Sequence, residues 1–146
     1  MASARETAIA ASTWEDDPQA AFDRLERARN LNLLSAQPDL TAGAIASQLG
    51  DEDEMRRAFA LALAREPDNW YAMLELGVVE ALQDDRGGAI RRLEEARRLN
   101  PRDPLIREAL EGARSGEPIS VERVQRALLD RVCSVVGPTD DTRYCK

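Results

Sequence analysis

The sequence contains no histidine. That absence excludes Ser-His and Cys-His nucleophile activation, imidazole proton shuttling and every metal site built on imidazole. Cysteine occurs only at Cys133 and Cys145, too few for a four-thiolate zinc site. Lys146 is the sole lysine, so arginine supplies nearly all positive charge. Aromatic residues make up 4% of the chain, which leaves the packing to aliphatic side chains and alanine. No apolar run approaches the roughly 20 residues of a spanning helix. Residues 1–14 lack the basic stretch and long apolar stretch of a signal peptide. A net charge of −7 argues against nucleic acid and anionic membrane as partners, since both need a basic face.

What remains is a chain of 146 residues with 43% hydrophobic and 32% charged residues, enough for one domain with a real core. The sequence repeats itself when shifted by 34 positions: Pro67 falls on Pro101, Gly43 on Gly77, and Ala28 on Ala62 and Ala96. Leu25, Phe59 and Leu93 align as bulky residues; Ala21, Met55 and Ala89 also align. Two full periods cover 36–69 and 70–103, a degraded one covers 2–35, and a partial one covers 104–132. Residues 133–146 read as an irregular tail.

Each period predicts two antiparallel helices. The expected segments are 5–13, 18–30, 36–49, 52–65, 69–83, 88–99, 104–113 and 120–132. Asp17-Pro18 and Asp103-Pro104 are strong helix starts, a capping carboxylate before proline at the first helical position. Asn100-Pro101 stops a helix, and Gly87-Gly88 reads as a turn. No segment alternates apolar and polar residues as a half-buried strand does, so the chain is expected to be all-α. The segment 69–83 is apolar nearly all round, which predicts burial on several sides.

These spacings resemble the tetratricopeptide repeat family. Its first helix carries Trp, Leu-Gly and Tyr where this sequence has Met73, Leu76-Gly77 and Glu80. Its second helix carries Ala, a large apolar residue, Ala and a trailing Pro; here these are Ala89, Leu93, Ala96 and Pro101. The preceding period offers Gly43, Met55, Phe59, Ala62 and Pro67, with Ala42 in place of the Leu. The likeness covers about 18–113. It implies a right-handed α-solenoid of about three repeats, closed by a C-terminal capping helix whose charged residues Arg123, Arg126, Asp130 and Arg131 face water. A looser resemblance, carried by DDPQAAFDRLERARNLN and EPDNWYAMLELG, is to the soluble segments of bacterial O-antigen ligase and polymerase membrane proteins. It implies an accessory domain on the extracytoplasmic side of a bacterial membrane protein.

The tetratricopeptide resemblance further implies a non-catalytic scaffold without cofactor or metal, gripping a protein or peptide in a concave groove. By that analogy the groove is lined by Gln37, Leu40, Thr41 and Ala44 from one repeat and by Tyr71, Leu74, Glu75 and Val78 from the next. Such a surface suits an amphipathic helix or an extended apolar peptide. The other candidate occupants are the C-terminal helix of the chain itself or a second copy. Thr41 and Glu75 stand where carboxylate-clamping family members carry Asn, so capture of a peptide C-terminus is not expected. The acidic clusters at 15–17, 51–54 and 84–85 read as helix-start carboxylates rather than cation sites. Arg91, Arg92, Arg97 and Arg98, interleaved with Glu94 and Glu95, read as a solvated face. Cys133 and Cys145 are candidates for a disulfide; the alternative is two unpaired thiols, Cys133 buried and Cys145 frayed.

Overall fold

Aspartates placed 34 positions apart start the second helix of each pair. In the computed structural model, which describes residues 1–136, these are Asp17, Asp51 and Asp85. Each carboxylate accepts the backbone N–H three residues on, at 3.0 Å, from Ala20, Glu54 and Gly88. A cap of this kind satisfies an otherwise orphaned amide and stabilises a helix by about 1 kcal/mol. The helices that follow, α2 (Pro18–Leu31), α4 (Glu52–Arg65) and α6 (Arg86–Leu99), have 14 residues each. They also end alike: the cap amides of Asn32, Glu66 and Asn100 donate to the carbonyls of Ala28, Ala62 and Ala96. Their partners are α1 (Ala2–Thr13), α3 (Gln37–Leu49), α5 (Trp70–Leu82) and α7 (Pro104–Ser115). Asn69 and Asp103 cap α5 and α7 through their side chains. A last helix, α8 (Val121–Val136), follows. Among the described residues there is no strand.

The order is therefore all-helical and sequential, with α1·α2, α3·α4 and α5·α6 as pairs and α7 packed on α6 and α5. It is a helical-repeat solenoid. Within pairs, a small residue on the first helix meets a large one on the second. A Cβ placed on Gly43 would lie 2.6 Å from Phe59 Cζ, and one on Gly77 would lie 2.7 Å from Leu93 Cγ. Both large side chains are fully buried. The two contacts are one contact, repeated a period later.

Most helix ends differ by a few residues from those the sequence suggested, and two of these shifts have a local cause. Gly87 and Gly88 are not a turn but the first turn of α6, because Asp85 caps there. The Asp85 carboxylate sits 2.6 Å from where a Gly88 Cβ would be, so a side chain there would need the carboxylate to shift, although Ala20 and Glu54 hold the same place in the two preceding caps. Helix α8 runs on to Val136 rather than 132, since no breaker precedes Gly137-Pro138.

The core is continuous from α3 to α8. A smaller cluster of Ala10, Ala21, Leu25, Ala42, Ile45 and Ala58 joins α1 and α2 to it. Helix α5 lies at its centre, with every residue from Ala72 to Glu80 buried. Asp39, fully buried on α3, accepts from Arg29 Nε of α2 at 2.6 Å and from Arg65 Nη1 of α4. Arg65 Nε also donates to the Leu33 carbonyl at 3.0 Å. One carboxylate thus ties three consecutive helices.

Candidate interaction groove

The residues that the tetratricopeptide resemblance nominates fall on α3 and α5. Their spacing of three and four positions puts each set on one helix face. Gln37 is exposed; Leu40, Thr41, Ala44 and Tyr71 are half-buried; Leu74, Glu75 and Val78 are buried. The Tyr71 ring stands edge-on to Phe59, with centroids 5.8 Å apart, and edge-on to Trp70 at 6.4 Å.

Helix α8 runs along part of this face. Val121 and Val124 of α8 are buried in the main core, with Ala127 and Leu128 packed against it. Helix α8 packs on α5, and Gln125 Nε2 donates to Ser47 Oγ of α3 at 2.5 Å. Leu129 shares a cleft of about 300 Å³ with Trp14 of the α1 end and with Thr41, Ala44, Ile45 and Gln48 of α3. Two of the nominated groove residues therefore meet α8 in one cleft.

Charge fixes the other side of α8. Arg131 donates to both Asp103 oxygens, at 2.7 and 2.9 Å, while Asp103 still caps α7 through Leu105 and Ile106. Burial alone would raise the Asp103 carboxyl. The Arg131 guanidinium and the two backbone amides outweigh it and hold the group below its ordinary value. Arg123 forms a two-pronged pair with Glu108 at 3.1 and 3.0 Å. Arg123, Arg126 and Asp130 are exposed as expected, Arg123 while paired; the expectation is corrected for Arg131, which is half-buried against Asp103. The acceptors for both arginines lie on the neighbouring α7, which helical spacing within α8 does not reveal.

Two carboxylates are buried on α5. Glu75 is 1% exposed, and burial pushes its carboxyl from 4.5 up to about 7; a hydrogen bond with Tyr71 pulls the other way. Burial, and then the Glu75 charge, raise the Tyr71 hydroxyl in turn. Glu80, at the family's Tyr position, is raised by burial against the pull of Arg92, whose Nε lies 3.5 Å away. Glu75 Oε2 and Glu80 Oε2 have no hydrogen-bond partner. Sequence reasoning placed Glu75 in the groove and missed this burial. It missed Asp39, Asp103 and Arg131 as linked groups altogether.

Among the described residues no group of three or more His, Cys, Asp or Glu side chains could hold a metal ion, and no helix is long and apolar enough to cross a membrane. Cys133 is half-buried on α8; Cys145, its candidate partner, lies outside the described residues.

No family model matches the chain. It is similar to a TPR repeat-containing protein of Pseudomonas aeruginosa, 34% identical over 105 residues, which is 70% of this chain. The chain spans 17% of the length of that curated relative. The resemblance to O-antigen ligase and polymerase segments gains no support from this match.

Proposed function

We propose that the chain is a tetratricopeptide-type module that holds a protein segment, without catalysis, on the face formed by α3 and α5. What supports the family is the 34-residue recurrence of caps and of small-to-large contacts, together with the similarity to the Pseudomonas aeruginosa protein. The observation that carries the groove reading is α8 itself. A helix with an apolar stripe already lies against α5 and reaches α3, so the surface accepts helices. Nested repeats leave such an extended face because each pair covers only its neighbours. The cleft at Thr41 and Ala44 supplies apolar wall; the carboxylates Asp103 and Glu108 supply acceptors at the rim.

Site-specific photocrosslinking in cells tests this. A benzophenone side chain at Thr41 should yield a discrete crosslinked protein band. The same group at Arg97, exposed on α6, should not. Equal yield of the same band from both positions would remove the groove from the reading.

A further inference from the structure

Helix α8 is held differently from the helices beneath it. Among its described side chains only Val121 and Val124 are buried, against nine residues on α5. Leu129 is 37% exposed and Val135 86% exposed. Elements with few buried apolar contacts open at the lowest free energy. The residues before α8 suit such opening: Gly116 is left-handed at φ 80°, and Pro118 follows in a segment outside any helix.

The grip that remains is largely polar, and its sense is one-sided. Helix α8 brings guanidinium and amide donors; the surface brings Asp103, Glu108 and the Ser47 hydroxyl as acceptors. Helix α5, on which α8 packs, also holds Glu75 with one oxygen that α8 leaves unsatisfied. The whole chain carries −7, so a basic ligand is also steered toward it.

We propose that the external ligand of this groove is a basic amphipathic helix that displaces α8. It places apolar side chains at i, i+3 and i+7, in the seats of Val121, Val124 and Leu128. Arginines two and ten positions beyond the first of these meet Glu108 and Asp103. This rests on the scaffold reading above and adds the ligand's chemistry and its competitor. Tethering gives α8 an effective concentration on the order of millimolar, so the intact chain is largely self-occupied and binds weakly until α8 is loosened.

The probe is a fluorescein-labelled peptide of residues 118–136 of this sequence, titrated with the full chain and followed by anisotropy. Arg131→Ala in the full chain removes the pair with Asp103 while leaving the α7 cap in place. It should bind the peptide at least tenfold tighter than the unaltered chain. A peptide carrying R123E and R131E should bind neither. Arg123→Ala, at an exposed position, is the second opening variant and should act in the same direction. Displacement is overturned if neither variant binds tighter, if the charge-reversed peptide binds equally well, or if both variants lose their helical far-UV spectrum, which would make α8 part of the indivisible fold. Sedimentation showing that the opened chains exchange α8 between copies instead would overturn it in favour of a second copy as occupant. Ala44→Glu separates the two readings. Peptide binding that survives it sinks the groove; binding lost with it but unaffected by Arg131→Ala sinks only the displacement.

Discussion

Replacing Gly43 by alanine asks whether the recurring small-to-large contact builds the solenoid. On an open helix face the change is favourable by about 1 kcal/mol, because glycine is the poorer helix former. Here the new Cβ would lie 2.6 to 2.7 Å from three carbons of the Phe59 ring. The ring is 0% exposed, so any shift it makes must be taken up by its core neighbours. Overpacking of a tight core costs about 1–3 kcal/mol, and three ring atoms this close put the site at the upper end. The net expectation is a loss of about 2 kcal/mol, or a fall in Tm of about 4–8 °C for a chain of this size. Urea unfolding followed by far-UV circular dichroism measures it. Gly87→Ala is the control. Its Cβ would meet nothing closer than Arg91 Nη1 at 3.5 Å, so it should be neutral or stabilising by about 0.5 kcal/mol. The decisive variant is the double change Gly43→Ala with Phe59→Leu. If the ring is the obstacle, the double variant is less destabilised than the sum of the singles by about 1 kcal/mol or more. Stabilisation by Gly43→Ala alone, or strict additivity in the cycle, would refute the contact as the reason for glycine.

Two further predictions concern buried carboxylates. Glu75 has a folded pKa of about 7 against 4.5 unfolded, so the folded state binds the extra proton between those values. The stability it contributes is full below about pH 4.5, falls as pH rises toward 7 and levels off above, a total on the order of 3 kcal/mol. Glu75→Gln should flatten that limb and leave the variant more stable than the parent at pH 8; an unchanged slope between pH 5 and 7 in urea titrations contradicts the assignment. Asp39→Asn removes the charge shared by Arg29 and Arg65, whose side chains are only 14% and 16% exposed. Breaking a buried pair from one side costs about 3–5 kcal/mol. Calorimetry should show a loss near the lower figure, since both guanidinium groups keep some water; a loss under about 1 kcal/mol would mean the triad is only a surface network.

The legible part of this fold is the part encoded within one period. Caps, small residues and stop signals are local chemistry, and they recur in the sequence at the interval at which they recur in space. Eight helices and their pairing follow from Asp-Pro, Asn-Pro and the Gly43/Phe59 and Gly77/Leu93 alignments, with end errors of a few residues. Asp39 shows where that stops. Beside Pro38 it reads as an ordinary first-turn carboxylate, and only the packed helices bring Arg29 and Arg65 to it. Glu75 is similar: its place on a helix face follows from spacing, whereas its protonation depends on what covers that face.

Helix α8 is the extreme case. Its stripe of Val121, Val124 and Leu128 announces an amphipathic helix, but amphipathicity names no surface. Its hydrogen bond to Ser47 joins residues 78 positions apart, more than two periods, and no repeat rule relates them. A solenoid's periodic contacts fix each pair against the next and say nothing about what lies along the face all the pairs share. In this chain α8 supplies the donors to Asp103 and Glu108 and buries Val121 and Val124 in the core. The freedom that made α8 unreadable from the repeat is the same freedom that, under the displacement proposed above, lets another helix compete for its seat.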